Sequence, residues 1–205
     1  MDETSVTRTI RETTVTLKAV ARQANPELRE TVLAKVLDYV YEHGLAELSL
    51  RRCGEGIGVS ARMLVYYFGT KEAMVAEAIR AGRPAVADLF ADIESPSELR
   101  EALSTAYRQF TGEPNRRPAV LLLQVMALAL TDPQQFGTFA VEAITAWVDP
   151  LAAAFARLGY DAPAARSTAL ISGMRGVALD AFLTGNPDRA RDAAAVALAA
   201  LVPDR

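Results

Sequence analysis

The sequence predicts an all-α protein, and three observations support this fold class. Apolar residues recur at steps of three and four along most of the chain, as on one face of a helix. Good helix-capping residues precede several of these segments. Alanine, the strongest helix former and a weak strand former, supplies 38 of the 205 residues. With 51% apolar and 23% charged residues, the chain has the composition of a folded protein rather than of a disordered one.

The scarcity of cysteine and histidine excludes several kinds of site. Cys53 is the single cysteine, so neither an internal disulfide nor a zinc site with several cysteines is possible. His43 is the single histidine, which argues against a histidine-dependent catalytic triad and a histidine-rich metal site. No paired carboxylates and no nucleophile with its base stand out. We therefore expect no enzyme, no metal and no cofactor.

The sequence gives no indication of export or of membrane insertion. It begins Met-Asp-Glu-Thr, without the basic and apolar regions of a secretory signal. The longest apolar run, Pro118 to Leu130, would cover roughly 20 Å as a helix, short of the roughly 30 Å core of a bilayer. We interpret this run as a central, buried helix and expect a cytoplasmic protein.

Charge is distributed unevenly along the chain. Residues 4–83 carry twelve Lys and Arg against nine Asp and Glu, whereas residues 84–205 carry ten against fourteen. A role with nucleic acid is therefore expected only for the N-terminal part. Residues 1–27 form a Thr-rich basic arm, which is either a mobile tail or a segment that touches phosphates or the minor groove. Its cations are Arg8, Arg11, Lys18 and Arg22.

The segment after this arm predicts a series of helices with clear ends. A first helix is expected from Leu28 to near His43, where Gly44 suits a left-handed C-cap. Ser49 is a good N-cap for a short second helix that reaches about Ile57. Because a turn must follow, Gly58 is expected to supply it.

Two further helices complete this region. Ser60 would cap a third helix that runs through Tyr66 or Tyr67, and Thr70 would cap a fourth that ends near Gly82. Two short helices separated by a glycine turn are typical of a helix-turn-helix.

Leu28 to Ile79 resembles the DNA-binding domain of TetR/AcrR-type transcriptional regulators. The residues that match the family pattern in register are Ser49, Gly58-Val59-Ser60, Leu64, Tyr67-Phe68, Thr70-Lys71-Glu72 and Met74. The resemblance implies a DNA-binding domain over residues 28–82. It also implies a larger helical domain over residues 83–205 that binds a small effector and forms a homodimer through the last two helices. Small residues that would let these helices approach a partner are Ala169, Gly173, Gly176, Ala178 and Ala181. The alternative is an ordinary contact between helices of one chain.

Four positions depart from the family pattern. Cys53-Gly54 replaces the usual Ile-Ala, and Gly56 replaces alanine. Glycine inside a helix costs roughly 1 kcal/mol relative to alanine, so we expect a less rigid second helix. Val65 occupies the position of a tyrosine that contacts phosphate in the family, a contact that Tyr66 or Tyr67 would have to replace.

The third helix supplies the candidates for reading bases, since a recognition helix enters the major groove with its N-terminal residues. These candidates are Ala61, Arg62, Met63 and Tyr66. Arg62 can donate a bidentate pair to guanine, and Ala61 or Met63 can contact a thymine methyl. The structural alternative for Arg62 is a solvated or phosphate-bound side chain.

Candidates for phosphate contact lie at helix N-termini, where free N–H groups attract anions. They are Ser49, Ser60 and Lys71, together with Arg51 on the second helix and Tyr67, which resembles a phosphate-bonding residue of the family. The alternatives left open are that the serines act only as caps and that the Tyr67 ring packs in the core.

The region from residue 83 onward is helical by pattern, with Pro150 expected to kink or divide a long helix. An effector pocket would draw on Tyr107, Phe110, Gln124, Met126, Phe139 and Trp147. Arg175, in an apolar helix, needs a carboxylate such as Asp180, or one from a partner chain, unless it lines the pocket. The expected effector is apolar or aromatic, with few polar groups.

Two functional hypotheses follow. The first is a dimeric repressor that binds a palindromic operator in double-stranded DNA and responds to a small effector. The second is a helical ligand-binding protein or enzyme of the same fold that does not bind DNA. Specific, salt-dependent DNA binding separates them.

Overall fold

The computed structural model describes residues 26–83 and 86–204, and every regular element in these two ranges is an α-helix. The polypeptide separates into two compact units, one ending at Gly82 and the other beginning at Arg83. The basic arm predicted over residues 1–27 lies outside the described residues, except for its last two, which begin the first helix. The helices are α1 (Pro26–His43), α2 (Leu50–Ile57), α3 (Ala61–Phe68), α4 (Lys71–Ala81), α5 (Val86–Leu89), α6 (Pro96–Thr111), α7 (Arg116–Thr131), α8 (Pro133–Arg157), α9 (Pro163–Thr184) and α10 (Pro187–Leu201).

In the N-terminal unit, α1 supports the helix-turn-helix. α1 packs against α4 and α2, while α2 and α4 each pack against α3. Val36, Leu64 and Met74 are fully buried at the centre. Arg29 of α1 pairs with Glu77 of α4, which links the first and last helices of the unit.

The helices predicted in this unit are confirmed, with small differences at their ends. α1 begins two residues before the predicted Leu28, because Pro26 suits the first turn of a helix. It ends at His43, and Gly44 follows with φ 72°. α2 has the predicted bounds, and α3 extends to Phe68.

The C-terminal unit is built around α8 and α9, which pack against each other. α10 packs on α9, and α6 packs on both α9 and α10. Leu151, Phe155 and Leu170 are fully buried between these helices. α8 runs without a break through Pro150, so the predicted division of this helix does not occur. Proline removes one backbone hydrogen bond of the helix, while Leu151, Ala154 and Phe155 just after it are buried in the core.

α7 contains the apolar run that the sequence predicts to be a central helix, and that prediction is wrong. Only Ala119, Leu121 and Val125 are buried in α7. Leu130 is 85% exposed and Leu128 39%, because α7 packs mainly on α8 and keeps its other side at the surface. The centre of the unit is instead formed by α8 and α9.

Within the described ranges, α8 is long and apolar enough to cross a membrane by length and composition, with a mean hydropathy of 1.4. The core helix of a folded protein passes the same test, and 28% of this window is buried here. The finding is therefore weak evidence for membrane insertion.

Candidate DNA-binding surface and ligand cavity

Three polar caps fix the helix-turn-helix. Ser49, Ser60 and Thr70 each lie in extended backbone just before a helix. Each side-chain oxygen accepts a hydrogen bond from the backbone N–H three residues later, at 3.2, 3.1 and 3.1 Å. Between α2 and α3, Gly58 adopts φ 77°, a conformation that glycine reaches without strain. These local interactions set where α2, α3 and α4 begin.

The two glycines inside α2 lie where other parts of the unit approach closely. A Cβ on Gly54 would lie 2.6 Å from the carbonyl oxygen of Val59 in the turn. A Cβ on Gly56 would clash with the ring of Tyr39 from α1. Glycine at these positions therefore permits close packing, a role that helix propensity alone did not indicate.

The exposed face of α3 carries Arg62, Val65 and Tyr66. Their spacing of three and four residues puts them on one side of the helix. Val65 is 47% exposed and Tyr66 37%, whereas Leu64 and Phe68 on the other side are buried. The Arg62 side chain has no ion pair or hydrogen bond with another described residue, so its donors are available to a ligand. We call these three residues the α3 face.

Tyr67 and two neighbours are less accessible than the sequence suggested. Only 8% of Tyr67 is exposed, and its ring packs edge-on against Tyr66, with 5.3 Å between centroids. A phosphate contact from Tyr67 would therefore use only this small exposed part. Ala61 and Met63 are half-buried. Val65, which the sequence marked only as a departure from the family, lies on the exposed face; its position three residues after Arg62 was the available signal.

Two cations lie near the beginnings of α2 and α4. Arg51 is exposed, and its guanidinium lies 3.9 Å from the carboxylate of Glu55. Lys71 is half-exposed at the start of α4, with its ammonium 3.4 Å from Glu72. Exposed ion pairs of this kind contribute little free energy, so both cations can exchange a carboxylate for a phosphate.

The C-terminal unit contains a cavity of about 60 Å³ among α6, α7, α8 and α9. Four of the seven predicted pocket residues line it: Tyr107, Phe110, Trp147 and Arg175. The sequence pattern did not indicate five others, which are Leu103, Ala106, Leu122, Ile171 and Met174. The walls are therefore almost entirely apolar, with one guanidinium and one phenol.

Three predicted pocket residues do not line the cavity. Gln124 is exposed on α7, and Met126 is half-buried outside the cavity wall. Phe139 is buried, with the Arg83 guanidinium 4.2 Å from its ring centroid. Helical periodicity identifies the buried side of a helix, but it does not indicate which neighbour that side meets.

Arg175 and Tyr107 give the cavity its polar groups. An Arg175 Nη donates to the carbonyl oxygen of Ala143 at 2.8 Å, and Arg175 forms no ion pair with a carboxylate of the described residues. Asp180, the partner suggested by the sequence, binds Arg189 instead, with 2.5 Å between Nη2 and Oδ1. Of the alternatives that the sequence left open for Arg175, the structure therefore shows the one in which it lines the cavity.

The surroundings of Arg175 and Tyr107 disfavour an unpaired charge on either side chain. Burial lowers the pKa of Arg175, and the nearby charge of Arg83 lowers it further. Burial raises the pKa of Tyr107, with a contribution from Asp180, so its phenol stays protonated at neutral pH. The Tyr107 hydroxyl is buried without a hydrogen-bond partner among the described residues.

Residues 37–78 match a family model described as bacterial regulatory proteins, tetR family. This segment extends from within α1 to within α4 and contains the whole helix-turn-helix. A search of curated proteins returns no match.

Solved structures of similar fold cover most of the chain. A transcriptional regulator from Rhodococcus sp. Rha1 is 24% identical, with a TM-score of 0.68 over 84% of this chain and 95% of that one. The multidrug binding protein EbrR, complexed with proflavin, is 23% identical, with a TM-score of 0.62 over 86% and 100%. NalD, the secondary repressor of the MexAB-OprM multidrug efflux pump in Pseudomonas aeruginosa, is 17% identical, with a TM-score of 0.64 over 88% and 100%. Residues 37–78 are therefore similar to the tetR family of bacterial regulatory proteins, and the chain shares the fold of these solved structures.

Proposed function

We propose that this protein is a dimeric transcriptional repressor that acts in the cytoplasm on a palindromic operator and is controlled by a small, largely apolar effector. The observation that carries the DNA-binding role is the α3 face, which is exposed directly after a capped helix N-terminus. An exposed valine and tyrosine, beside an arginine that pairs with no other described residue, are suited to base edges in the major groove.

Each residue of this surface has a proposed role. Arg62 donates two hydrogen bonds to a guanine, which contributes about 1–3 kcal/mol of discrimination. Val65 contacts a thymine methyl, with smaller contributions from Ala61 and Met63, which are half-buried. Tyr66 extends the same face.

A second group of residues binds phosphates and so positions the helix without reading sequence. Lys71 and Arg51 supply charge beside the N-termini of α4 and α2, whose free N–H groups also attract anions. Ser49 and Ser60 contribute as caps at such N-termini, and Tyr67 contributes through its small exposed part.

The proposed dimer forms through α9 and α10. Gly173 and Gly176 lie on one side of α9, where an added Cβ would meet no atom within 4 Å. Leu183 of α9 is 77% exposed and Val196 of α10 is 69% exposed. A second copy of the chain would cover these side chains, and the glycines would allow close approach. Ala178 is fully buried in its own chain, so it takes no part in this surface.

A dimer of this kind has two recognition helices, which fit half-sites about 34–36 Å apart, one turn of DNA. An effector in the cavity controls operator binding if it has different affinities for the conformers that fit and do not fit this spacing. The cavity and the α3 face belong to different units, so effector and DNA do not compete for the same residues.

A ligand-binding protein of the same fold without DNA binding is the second candidate function. The charge of the described part of the N-terminal unit favours this alternative, because residues 26–82, without the basic arm, carry seven Lys and Arg against eight Asp and Glu. DNA-binding domains usually carry a positive surface. The two candidates therefore differ in a property that can be measured directly.

Fluorescence anisotropy with DNA from upstream of the gene tests the proposal. We expect specific binding that weakens steeply with salt. Arg62→Ala should lose about 1–3 kcal/mol of preference for the specific site, whereas Lys71→Ala should weaken binding to all sequences alike. Arg108→Ala, which removes an exposed arginine of α6, is the matched control and should bind as the wild type does. Absence of specific binding across a library of genomic fragments would favour the second candidate.

A further inference from the structure

We infer that the effector has an apolar body with one anionic oxygen group, such as a carboxylate, and that Arg175 and Tyr107 bind this group inside the cavity. This inference rests on the proposed function, because it specifies the ligand of the same regulator. It also narrows the expectation from sequence, which gave the effector few polar groups without specifying their charge.

The first observation is the state of Arg175. A guanidinium has five N–H donors, and that of Arg175 donates to a backbone carbonyl, that of Ala143. It lines an apolar cavity without a carboxylate of the described residues beside it. Burial of a charge is costly unless it is paired, so an anionic ligand would remove a cost that the protein otherwise bears.

The second observation is the hydroxyl of Tyr107. It is buried without a partner in the described part of the chain and belongs to a residue that lines the same cavity. A buried polar group of this kind costs free energy until an acceptor arrives. A neutral phenol donates one hydrogen bond, and a carboxylate oxygen accepts it. Arg175 and Tyr107 therefore bring two donors with unused capacity among the described residues to the wall of one small cavity, which suits an oxyanion rather than a cation.

The third observation is that the nearest acid on the same helix is committed elsewhere. Asp180 lies on α9 with Arg175, but Arg189 holds both of its oxygens, at 2.5 and 2.7 Å from Nη2. The electrostatic neighbour that acts on Arg175 is another cation, Arg83. A positively charged ligand would meet the charge of Arg175 in the cavity wall, so cations are disfavoured.

The size of the cavity indicates that ligand binding would move the side chains of its walls. Its volume of about 60 Å³ is smaller than the roughly 150 Å³ of an engineered apolar cavity that accepts benzene. An effector must therefore displace the walls, which include Leu122 and the unbranched, adaptable Met174. Trp147, the single tryptophan of the chain, forms part of the wall, so its fluorescence reports this displacement.

The test compares ligands that differ only in their polar group. Trp147 fluorescence is titrated with phenylbutyrate, phenylbutanamide and phenylbutylammonium, and with the corresponding octanoate series. In at least one series, the anion should bind at least about tenfold more tightly than the amide, because a hydrogen bond to a charged group is stronger than one to a neutral group. The ammonium compound should bind most weakly. Equal affinities, tightest binding of the ammonium, or no binding in either series would overturn the inference.

Two substitutions assign the preference to the named residues. Arg175→Met keeps a long apolar side chain and should abolish the preference for the anion while changing the affinity for the amide little. Tyr107→Phe removes only the hydroxyl and should weaken anion binding by about twofold to tenfold. The exposed neighbour Arg108→Met is the control and should keep the full preference. A preference that survives Arg175→Met would contradict the assignment, whereas a general loss of structure would weaken all three ligands together.

Operator binding, measured on the same preparations without ligand, separates the two proposals. If the protein binds DNA but shows no preference for the anion, the anion site at Arg175 and Tyr107 is wrong and the proposed regulator function is supported. If the protein prefers the anion but does not bind DNA, the anion site is supported and the proposed regulator function is wrong.

Discussion

The N-terminal unit carries its candidate functional groups on an exposed helix face, whereas the C-terminal unit gathers its groups around a cavity. α2 and α3 are eight residues each, and caps and glycines within a few residues fix their ends. α8 and α9 have 25 and 22 residues, and the cavity beside them takes its walls from four helices. A surface that reads DNA can be specified locally, but a cavity exists only after distant segments have packed.

This difference predicts different kinds of vulnerability. The N-terminal unit depends on the close approach of short backbone segments, so a single added methyl group can disturb it. The C-terminal unit has adaptable side chains around its cavity, so a small change there should be tolerated. It should be most sensitive to substitutions on the exposed surface of α9 and α10.

The largest expected effect is on the proposed dimer. Leu183→Glu introduces a like charge from both copies into the α9 and α10 surface, which should raise the dimer dissociation constant by at least about a hundredfold. Leu130→Glu, on the exposed side of α7, is the control and should leave the mass unchanged. Sedimentation velocity measures both variants. A Leu183→Glu protein that remains dimeric would exclude this part of α9 from the interface.

The next effect is on the stability of the N-terminal unit. Gly54→Ala should lower the free energy of unfolding by about 1–3 kcal/mol, although alanine favours helix by about 1 kcal/mol. The new methyl group meets the backbone carbonyl of Val59, which cannot rotate away. Gly56→Ala should cost less, because it meets a half-exposed tyrosine ring that can move. Urea titration followed by circular dichroism compares the two, and a more stable Gly54→Ala protein would contradict the packing role.

The smallest expected effect concerns the basic arm. Residues 26–82 have no excess of cations, so phosphate binding should depend partly on Arg8, Arg11, Lys18 and Arg22. Each phosphate that the arm neutralises should steepen the dependence of log affinity on log salt by about 0.9, so changing these four residues to glutamine should make that slope shallower. Preference among operators should not change, since phosphate contacts carry no sequence information. An unchanged slope would mean that the arm does not bind phosphates.

The helix-turn-helix could be predicted from sequence because its signals are local. Ser49, Gly58 and Ser60 each act within three or four residues of their own position, so spacing alone locates the helix ends. The glycines of α2 were harder to interpret, because the atoms that require them come from the turn and from Tyr39 of α1.

The cavity could be predicted only in part. Tyr107, Phe110 and Trp147 stood out as large aromatic residues, but so did Phe139, which packs under Arg83 instead. Leu122 and Ile171 carry no signal that separates a cavity wall from an ordinary core position. Whether Arg175 pairs with a carboxylate depended on whether Asp180 was available. Asp180 instead forms an ion pair with Arg189, which the sequence pattern did not reveal.

Cys53 has no exposed surface, and burial raises the pKa of its thiol to about 11. Thiol reagents attack the thiolate, so this residue should be almost inert while the N-terminal unit is closed. Because Cys53 is the single cysteine of the chain, the rate of thiol labelling measures how often that unit alone opens. With the single tryptophan in the other unit, each half of the protein has its own native probe. The delay between ligand entry in one unit and any loosening of the other can therefore be timed without adding a foreign label.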